Sequence, residues 1–199
     1  MEETPLETWR LLALPPGYPK RSREEIRART LLGALECLRS GMTTVQDMVT
    51  LYPFDPEHLE AVVEAYEEIG IRAVVALQYG DIKGIDTIPS WALGPSAPER
   101  CSTTLIGRTV ELSEKYNLPI FSHIYESKGM ALQARIEYPQ HGGSLIRRLK
   151  EEGLLGPRLN LAHSVWLLQD EIDLLGETKT NVVINPLSNM KLKSGIPPI

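Results

Sequence analysis

Cysteine is scarce in this sequence: Cys37 lies within a helical pattern, and Cys101 lies just before another. Neither has a second cysteine at the spacing of a zinc knuckle, and two cysteines do not make a disulfide framework. The sequence therefore excludes a cysteine-ligated or disulfide-stapled fold, and the expected location is the reducing cytoplasm.

Long apolar runs and basic blocks are also missing. No stretch approaches the roughly 18–20 apolar residues that span a bilayer, and the acidic start, Met1–Pro5, lacks the apolar core of a secretory signal. The 199 residues carry a net charge of −5 without a basic cluster, which argues against a nucleic-acid surface. We therefore expect neither a membrane nor a nucleic acid as a partner.

What the sequence does contain is an alternation of apolar and amphipathic segments, within a length that suits one domain over residues 1–199. Strands are predicted over Met42–Met48, Ile71–Leu77, Ser90–Leu93, Leu118–His123, Leu159–His163 and Asn181–Ile184. Helices are predicted over Arg23–Ser40, Pro56–Ile69, Ser102–Tyr116, Gly143–Glu152 and Gln169–Glu177. This alternation predicts a parallel α/β sheet or barrel.

One connection does not fit that pattern. Residues Gln78 to Pro89 join two predicted parallel strands but show no helical periodicity. A parallel crossover needs about a dozen residues and usually a helix. The sequence therefore leaves this crossover unexplained.

Two histidines stand at the ends of predicted strands. His123 is followed three residues later by Glu126, and His163 ends the next predicted strand. In a parallel barrel all strand C-termini open onto the face that carries active sites. Imidazoles there can hold a metal ion, and a carboxylate can move protons to and from a water that the ion activates. The alternative for each histidine alone is a hydrogen-bonded core or loop residue.

Five segments resemble the amidohydrolase superfamily, in the branch of chlorohydrolases and of guanine, cytosine and methylthioadenosine/S-adenosylhomocysteine deaminases. In family order they are Glu36–Asp47, Leu93–Pro98, Ser122–Ser127, Leu161–Trp166 and Asn185–Pro198. The resemblance implies a TIM-like (β/α)₈ barrel of which about strands two to seven are represented, since a complete barrel takes eight strands and about 250 residues. The family's His-x-His pair does not occur, and its ligand aspartate is expected after Ile199.

By this resemblance, His123 and His163 match the metal-ligand histidines of barrel strands five and six, and Glu126 matches the proton-shuttling glutamate. The resemblance implies one divalent ion, zinc in first place and iron as the alternative. Residues at or after strand ends on the same face are expected to bind substrate: Ser96, Trp166 and Asn189. Many relatives carry a histidine where this chain has serine at position 96.

The predicted function is a metal-dependent hydrolase that acts on a C–N, or C–Cl, bond of a heterocyclic or amidine-like small molecule. Because catalytic zinc usually takes about three protein ligands, we expect the chain as given, with two histidines alone, to bind metal weakly and to turn over little or nothing. One alternative is an inactive barrel fragment that serves as an association module, since open sheet edges favour homo-oligomers. Another is a doubly wound binding protein, although Gly142-Gly143 lacks the spacing of a phosphate-binding loop.

Overall fold

The computed structural model describes residues 4–13, 20–51, 54–80 and 92–198. The strands are β1 (Thr44–Val49), β2 (Arg72–Tyr79), β3 (Ala92–Pro95), β4 (Ile120–Ile124), β5 (Leu159–His163) and β6 (Asn181–Val183). The helices are α1 (Leu6–Ala13), α2 (Arg23–Arg39), α3 (Pro56–Ile69), α4 (Thr103–Tyr116), α5 (Lys128–Glu137), α6 (Leu145–Glu151), α7 (Gln169–Thr178) and α8 (Pro186–Lys191). None of the helices in these described ranges is long and apolar enough to cross a membrane.

All six strands belong to one sheet, in the order β1 to β6, and each pairs in parallel with the next. A doubly wound sheet reverses its strand order at a switch point, and this sheet does not. The doubly wound alternative is therefore wrong. The predicted fold class is confirmed: the chain is an α/β protein whose parallel strands curl into an incomplete TIM-like barrel.

Polar caps and a left-handed residue set the ends of the helices that cover β1 and β2. The Ser22 hydroxyl accepts a hydrogen bond from the Glu25 N–H at 3.2 Å where α2 begins, and the Asp55 carboxylate accepts one from Glu57 where α3 begins. Gly70 ends α3 with φ at +74°, a conformation that costs glycine nothing. Helix α3 therefore begins and ends where the sequence predicts it.

Three helices, α1, α5 and α8, were not predicted, and for α5 and α8 the reason is visible in what they bury. Helix α5 buries only Ala131 and Ala134, and α8 buries only the polar Asn189. Such helices lack the apolar stripe on which sequence prediction depends. The unexplained crossover after Gln78 falls mainly on residues 81–91, which lie outside the described ranges.

Alternation along β4 and β5 decides which side chains face the barrel interior. Side chains on the outer face are buried in the main core against the helices: Ile120, Ile124, Leu159 and Leu161. The intervening side chains line an inner cavity of about 200 Å³: Phe121, His123, Asn160 and Ala162. The period of two thus places His123 on the interior face, near the C-terminal end of its strand.

Candidate active site

A cavity of about 480 Å³ opens at the C-terminal ends of the strands, from β1 to β6. The lining residues come from the strand ends and from α1, α5 and α8: Leu6, Trp9, Thr50, Gln78, Ser96, Ala97, Arg100, His123, Glu126, Met130, His163, Asn185, Ser188 and Leu192. Three residues singled out for chemistry, His123, Glu126 and His163, meet in this space. The cavity therefore occupies the place where barrel enzymes carry their active sites.

The ring of His123 is fixed by the main chain of the neighbouring strand end. Its Nδ1 lies 2.8 Å from the carbonyl oxygen of Ser96, and its backbone N–H donates to the same oxygen at 3.1 Å. A carbonyl oxygen only accepts, so Nδ1 must carry the hydrogen. In the neutral ring, Nε2 then holds the lone pair that a metal ion would need.

His163 is held in the same tautomer by a side chain. It is 5% exposed, and its Nδ1 donates to the amide oxygen of Asn189 at 2.9 Å. Asn189 is itself buried and comes from α8, whose backbone fixes it further: the Asn189 carbonyl accepts the Ser194 N–H at 2.8 Å. The lone pair of His163 is therefore also on Nε2.

The Nε2 atom of His163 has two polar neighbours, of which one is a hydrogen-bond donor and the other is a carboxylate. The amide nitrogen of Asn185 lies 3.5 Å away, as a donor to a lone pair would. The Glu126 carboxylate also lies 3.5 Å away, and a carboxylate approaches favourably only a proton or a cation. A cation held by the Nε2 lone pair in place of the Asn185 N–H would also attract the carboxylate, so the chemistry of these donors fits a metal ion.

The two histidine rings face one another across neighbouring strands. Their centroids are 5.6 Å apart and their planes differ by 27°. Among the residues that the structure describes, no group of three or more His, Cys, Asp or Glu side chains could hold a metal ion. The described site thus brings together two imidazoles with a carboxylate beside one of them, and their role as metal ligands stays a prediction.

Glu126 is placed by a sharp turn at the end of β4. Tyr125 adopts a positive φ of +46°, which bends the chain out of the strand. Its buried hydroxyl donates to Glu171 at 3.0 Å and accepts the Leu145 N–H at 2.8 Å, which locks the turn. Burial, and then the nearby Glu171 carboxylate, raise the pKa of the Tyr125 phenol above its usual range. Tyr125 therefore stays a neutral anchor for the turn that carries Glu126.

The remaining predicted site residues lie at different distances from the cavity. Ser96 lines it, although its own side chain is fully buried. Asn189 lies on the Nδ1 side of His163, and the Trp166 indole donates to the Ser194 carbonyl at 2.8 Å; neither lines the cavity. Substrate binding by these three residues stays a prediction.

Sequence reasoning did not identify six polar or aromatic residues that line the cavity: Trp9, Thr50, Gln78, Arg100, Asn185 and Ser188. Gln78 and Asn185 each follow a predicted strand, so the rule that led to the histidines would have found them. Trp9 belongs to α1, and Arg100 belongs to a 3₁₀ turn after β3. No sequence pattern pointed to either.

Comparison with known proteins adds relatives of known activity. The chain is 32% identical over its whole length to a 5'-deoxyadenosine deaminase of Methanopyrus kandleri, of which it covers 48%. It is 30% identical to a 5-methylthioadenosine/S-adenosylhomocysteine deaminase of Pyrococcus furiosus, again over its whole length and 50% of the relative. The chain thus spans about half the length of the curated relatives it matches.

A solved structure supports the same fold. All of this chain superposes on 48% of a zinc-bound adenosine deaminase from Xanthomonas campestris, with a TM-score of 0.80 and 24% identity. At that identity the likeness shows the barrel fold alone. The sequence model of the amidohydrolase family, in contrast, matches residues 1–199. The chain therefore belongs to the amidohydrolase family, as its motifs predicted.

Proposed function

We propose that this chain forms part of a metal-dependent hydrolase that cleaves a C–N bond, or a C–Cl bond, of a small heterocyclic or amidine-like substrate. One observation carries the proposal: His123 and His163 line one cavity with their Nδ1 atoms hydrogen-bonded to other groups, and the Glu126 carboxylate lies 3.5 Å from Nε2 of His163. Deaminase relatives at 30–32% identity support the C–N specificity. The cavity of about 480 Å³ is of a size that suits a small heterocycle.

The metal that we propose is zinc, bound through Nε2 of His123 and of His163. Catalytic zinc takes about three protein ligands, and these histidines would supply two of them. When bound, the ion would lower the pKa of a water molecule toward neutrality and so supply a nucleophile at physiological pH. The hydrogen bonds from Nδ1 to Ser96 and Asn189 keep both rings oriented for this role.

Glu126 would carry the proton. Its carboxylate is 15% exposed and lies beside His163, within reach of a water in the cavity. It would accept the proton of the attacking water and then donate it to the departing amine or to a ring nitrogen, first as general base and then as general acid. The locked turn at Tyr125 holds the carboxylate in place between the two steps.

The test compares Glu126→Gln with Glu177→Gln, an exposed glutamate on α7 that pairs with Lys150. The whole enzyme, of which this chain is proposed to be a part, is loaded with zinc and assayed for ammonia release from 5'-deoxyadenosine, methylthioadenosine, guanine and cytosine. We expect Glu126→Gln to lower kcat by about 10²–10⁴-fold with unchanged thermal unfolding, and Glu177→Gln to leave kcat unchanged. Equal activity of the two variants, or no turnover of the panel by the parent protein, would contradict the proposal.

The second candidate, an association module, is favoured by apolar side chains that are exposed along β6 and α8: Val183, Ile184, Leu187, Met190 and Ile196. Such a surface next to an edge strand favours self-association. We propose a homo-oligomer on this basis. In sedimentation experiments we expect the parent protein to be an oligomer and Leu187→Glu to be a monomer. A monomeric parent protein would contradict this proposal. The cytoplasmic location stays a prediction.

A further inference from the structure

Arg100 places a permanent positive charge on the cavity wall. Among the described residues that line the cavity, Arg100 has the only guanidinium and Glu126 the only carboxylate. The Arg100 side chain is 20% exposed, and the Glu99 carboxylate lies 4.0 Å from its Nε, which is the outer limit of an ion pair. A mostly buried guanidinium on a cavity wall is a strong donor to any oxygen that enters.

A directed chain of hydrogen bonds orients this side chain. Arg100 Nη1 donates to the Ser96 hydroxyl at 3.1 Å, which donates to the Gln78 side-chain oxygen at 3.2 Å. The Gln78 amide nitrogen then donates to the main-chain carbonyl of Met48 at 3.0 Å. This relay connects the guanidinium to the ends of β1, β2 and β3.

The backbone around Arg100 is equally constrained. Arg148, which is 5% exposed, donates to the carbonyls of Pro98 and Cys101 at 2.9 and 2.8 Å and so clamps both ends of the turn. A Cβ at Gly80 would lie 2.8 Å from the Arg100 carbonyl, so the two backbones are packed together. Arg100 is therefore a preorganised donor on a rigid support, as ligand recognition requires.

The position of Arg100 relates it to the reacting end of the cavity. Ser96 contacts Arg100 with its hydroxyl and His123 with its carbonyl. Ser96 thus connects the guanidinium to a proposed metal ligand, and Arg100 and His123 line the same cavity.

We propose that Arg100 is a specificity-determining residue that hydrogen-bonds a carbonyl oxygen on the substrate ring. The site would then select amino-heterocycles that carry a ring carbonyl, such as cytosine and guanine, over adenine-type rings, which carry none. This inference rests on the proposed hydrolytic function, because it assigns the substrate class of that same site.

The test measures binding separately from turnover. Dissociation constants for cytosine, guanine and 5'-deoxyadenosine are measured by calorimetry on zinc-loaded protein in the Glu126→Gln background, with and without Arg100→Met. The matched control is Arg108→Met, since Arg108 is an exposed arginine of α4 that pairs with Glu111. Thermal unfolding of each variant checks that the fold is kept.

We expect Arg100→Met to raise Kd for cytosine or guanine by about 30-fold or more, because it leaves a ring carbonyl without its donor. Its effect on 5'-deoxyadenosine should stay below about threefold, and Arg108→Met should change no Kd. Equal weakening of all three ligands would overturn the proposal and make Arg100 a support for Ser96. No weakening, or no binding of the carbonyl-bearing rings, would overturn it as well.

Turnover by protein that retains Glu126 distinguishes this inference from the proposed function. Arg100-dependent binding without ammonia release would leave the recognition role standing and refute the hydrolysis. Ammonia release with the same kcat/KM in the parent and in Arg100→Met would leave the hydrolysis standing and refute the recognition role.

Discussion

His123 and His163 reach one cavity from neighbouring strands, but the molecule holds their rings by different means. His123 lies within β4, and its ring donates to the main-chain carbonyl of Ser96. His163 adopts φ at +71° at the end of β5, and its ring donates to the side-chain amide of Asn189. The first support is part of the sheet, whereas the second is a single side chain from α8.

This difference indicates which kind of mutation would disturb each histidine. The position of the Ser96 carbonyl depends on the path of β3 beside β2, so only a change in that path can move it. The position of the Asn189 amide depends on one replaceable side chain and on the short helix that carries it. Mutations should therefore act on His123 through stability and on His163 through metal affinity.

The largest effect is expected from Gly94→Ala, which disturbs the backbone that supports His123. A Cβ at Gly94 would lie 2.5 Å from the carbonyl oxygen of Leu77, where β2 and β3 meet. We expect the free energy of unfolding to fall by about 3 kcal/mol, because neither backbone can move without breaking the sheet. Urea denaturation measures this loss.

The control for that experiment is Gly33→Ala in α2, where a Cβ would meet nothing within 4 Å. An alanine there should stabilise the helix by up to about 1 kcal/mol. If Gly94→Ala unfolds at the same urea concentration as the parent, the backbone at β3 is not the rigid support that we describe.

Asn189→Ala removes the side chain that supports His163 and should have the next largest effect. Without the amide oxygen, the Nδ1–H of His163 loses its 2.9 Å acceptor, and the ring loses its fixed orientation. Loss of such a partner typically weakens a metal site by about 10–100-fold. Zinc competition with a chromophoric chelator measures the affinity. The matched change Asn181→Ala, in β6, should leave zinc affinity intact, and an equal loss in both variants would contradict the assignment.

Ser96→Ala sharpens the comparison by removing a side chain and keeping the carbonyl. His123 contacts the carbonyl of Ser96, whereas the hydroxyl contacts Arg100 and Gln78. We expect zinc affinity to change by less than about threefold, because alanine retains the acceptor of Nδ1. A loss as large as that of Asn189→Ala, in the same chelator assay, would show that the backbone support is not sufficient.

How much of this site the sequence predicts depends on how each part is held. His123 follows from the period of two along β4, since Ile120 and Ile124 face the helices and Phe121 and His123 face inward. The same period assigns His163 to the outer face with Leu159 and Leu161. The positive φ at His163 interrupts this period, and such a conformation is uncommon for any residue other than glycine, although histidine is enriched in it.

The roles that sequence reasoning left open depend on contacts between distant parts of the chain. Asn189 was expected at the substrate, but it contacts His163 because α8 turns its polar side chain into the protein. Arg100 was not singled out, because its turn is fixed by Arg148, which lies on another helix. Period and propensity report local structure, so they do not show which buried polar groups will meet.

The smallest effect is expected at Ser164, which continues the turn that brings His163 inward. Ser164 is fully buried with φ at +53°, and its N–H donates to the Ile124 carbonyl at 3.0 Å. A residue other than glycine costs about 1–2 kcal/mol in the left-handed conformation. Glycine avoids that cost, but it loses about 0.5–1 kcal/mol through its larger loss of chain entropy on folding.

Ser164→Gly should therefore raise the free energy of unfolding by about 0.5 kcal/mol and leave zinc affinity unchanged, because the Ser164 N–H to Ile124 is retained. Urea denaturation and the chelator assay measure the two quantities on the same preparation. A fall in stability together with weaker zinc binding would mean that the serine side chain, and not the backbone turn, holds His163 in the cavity. The contrast drawn above, with a backbone support for His123 and a single side chain from α8 for His163, would then be wrong.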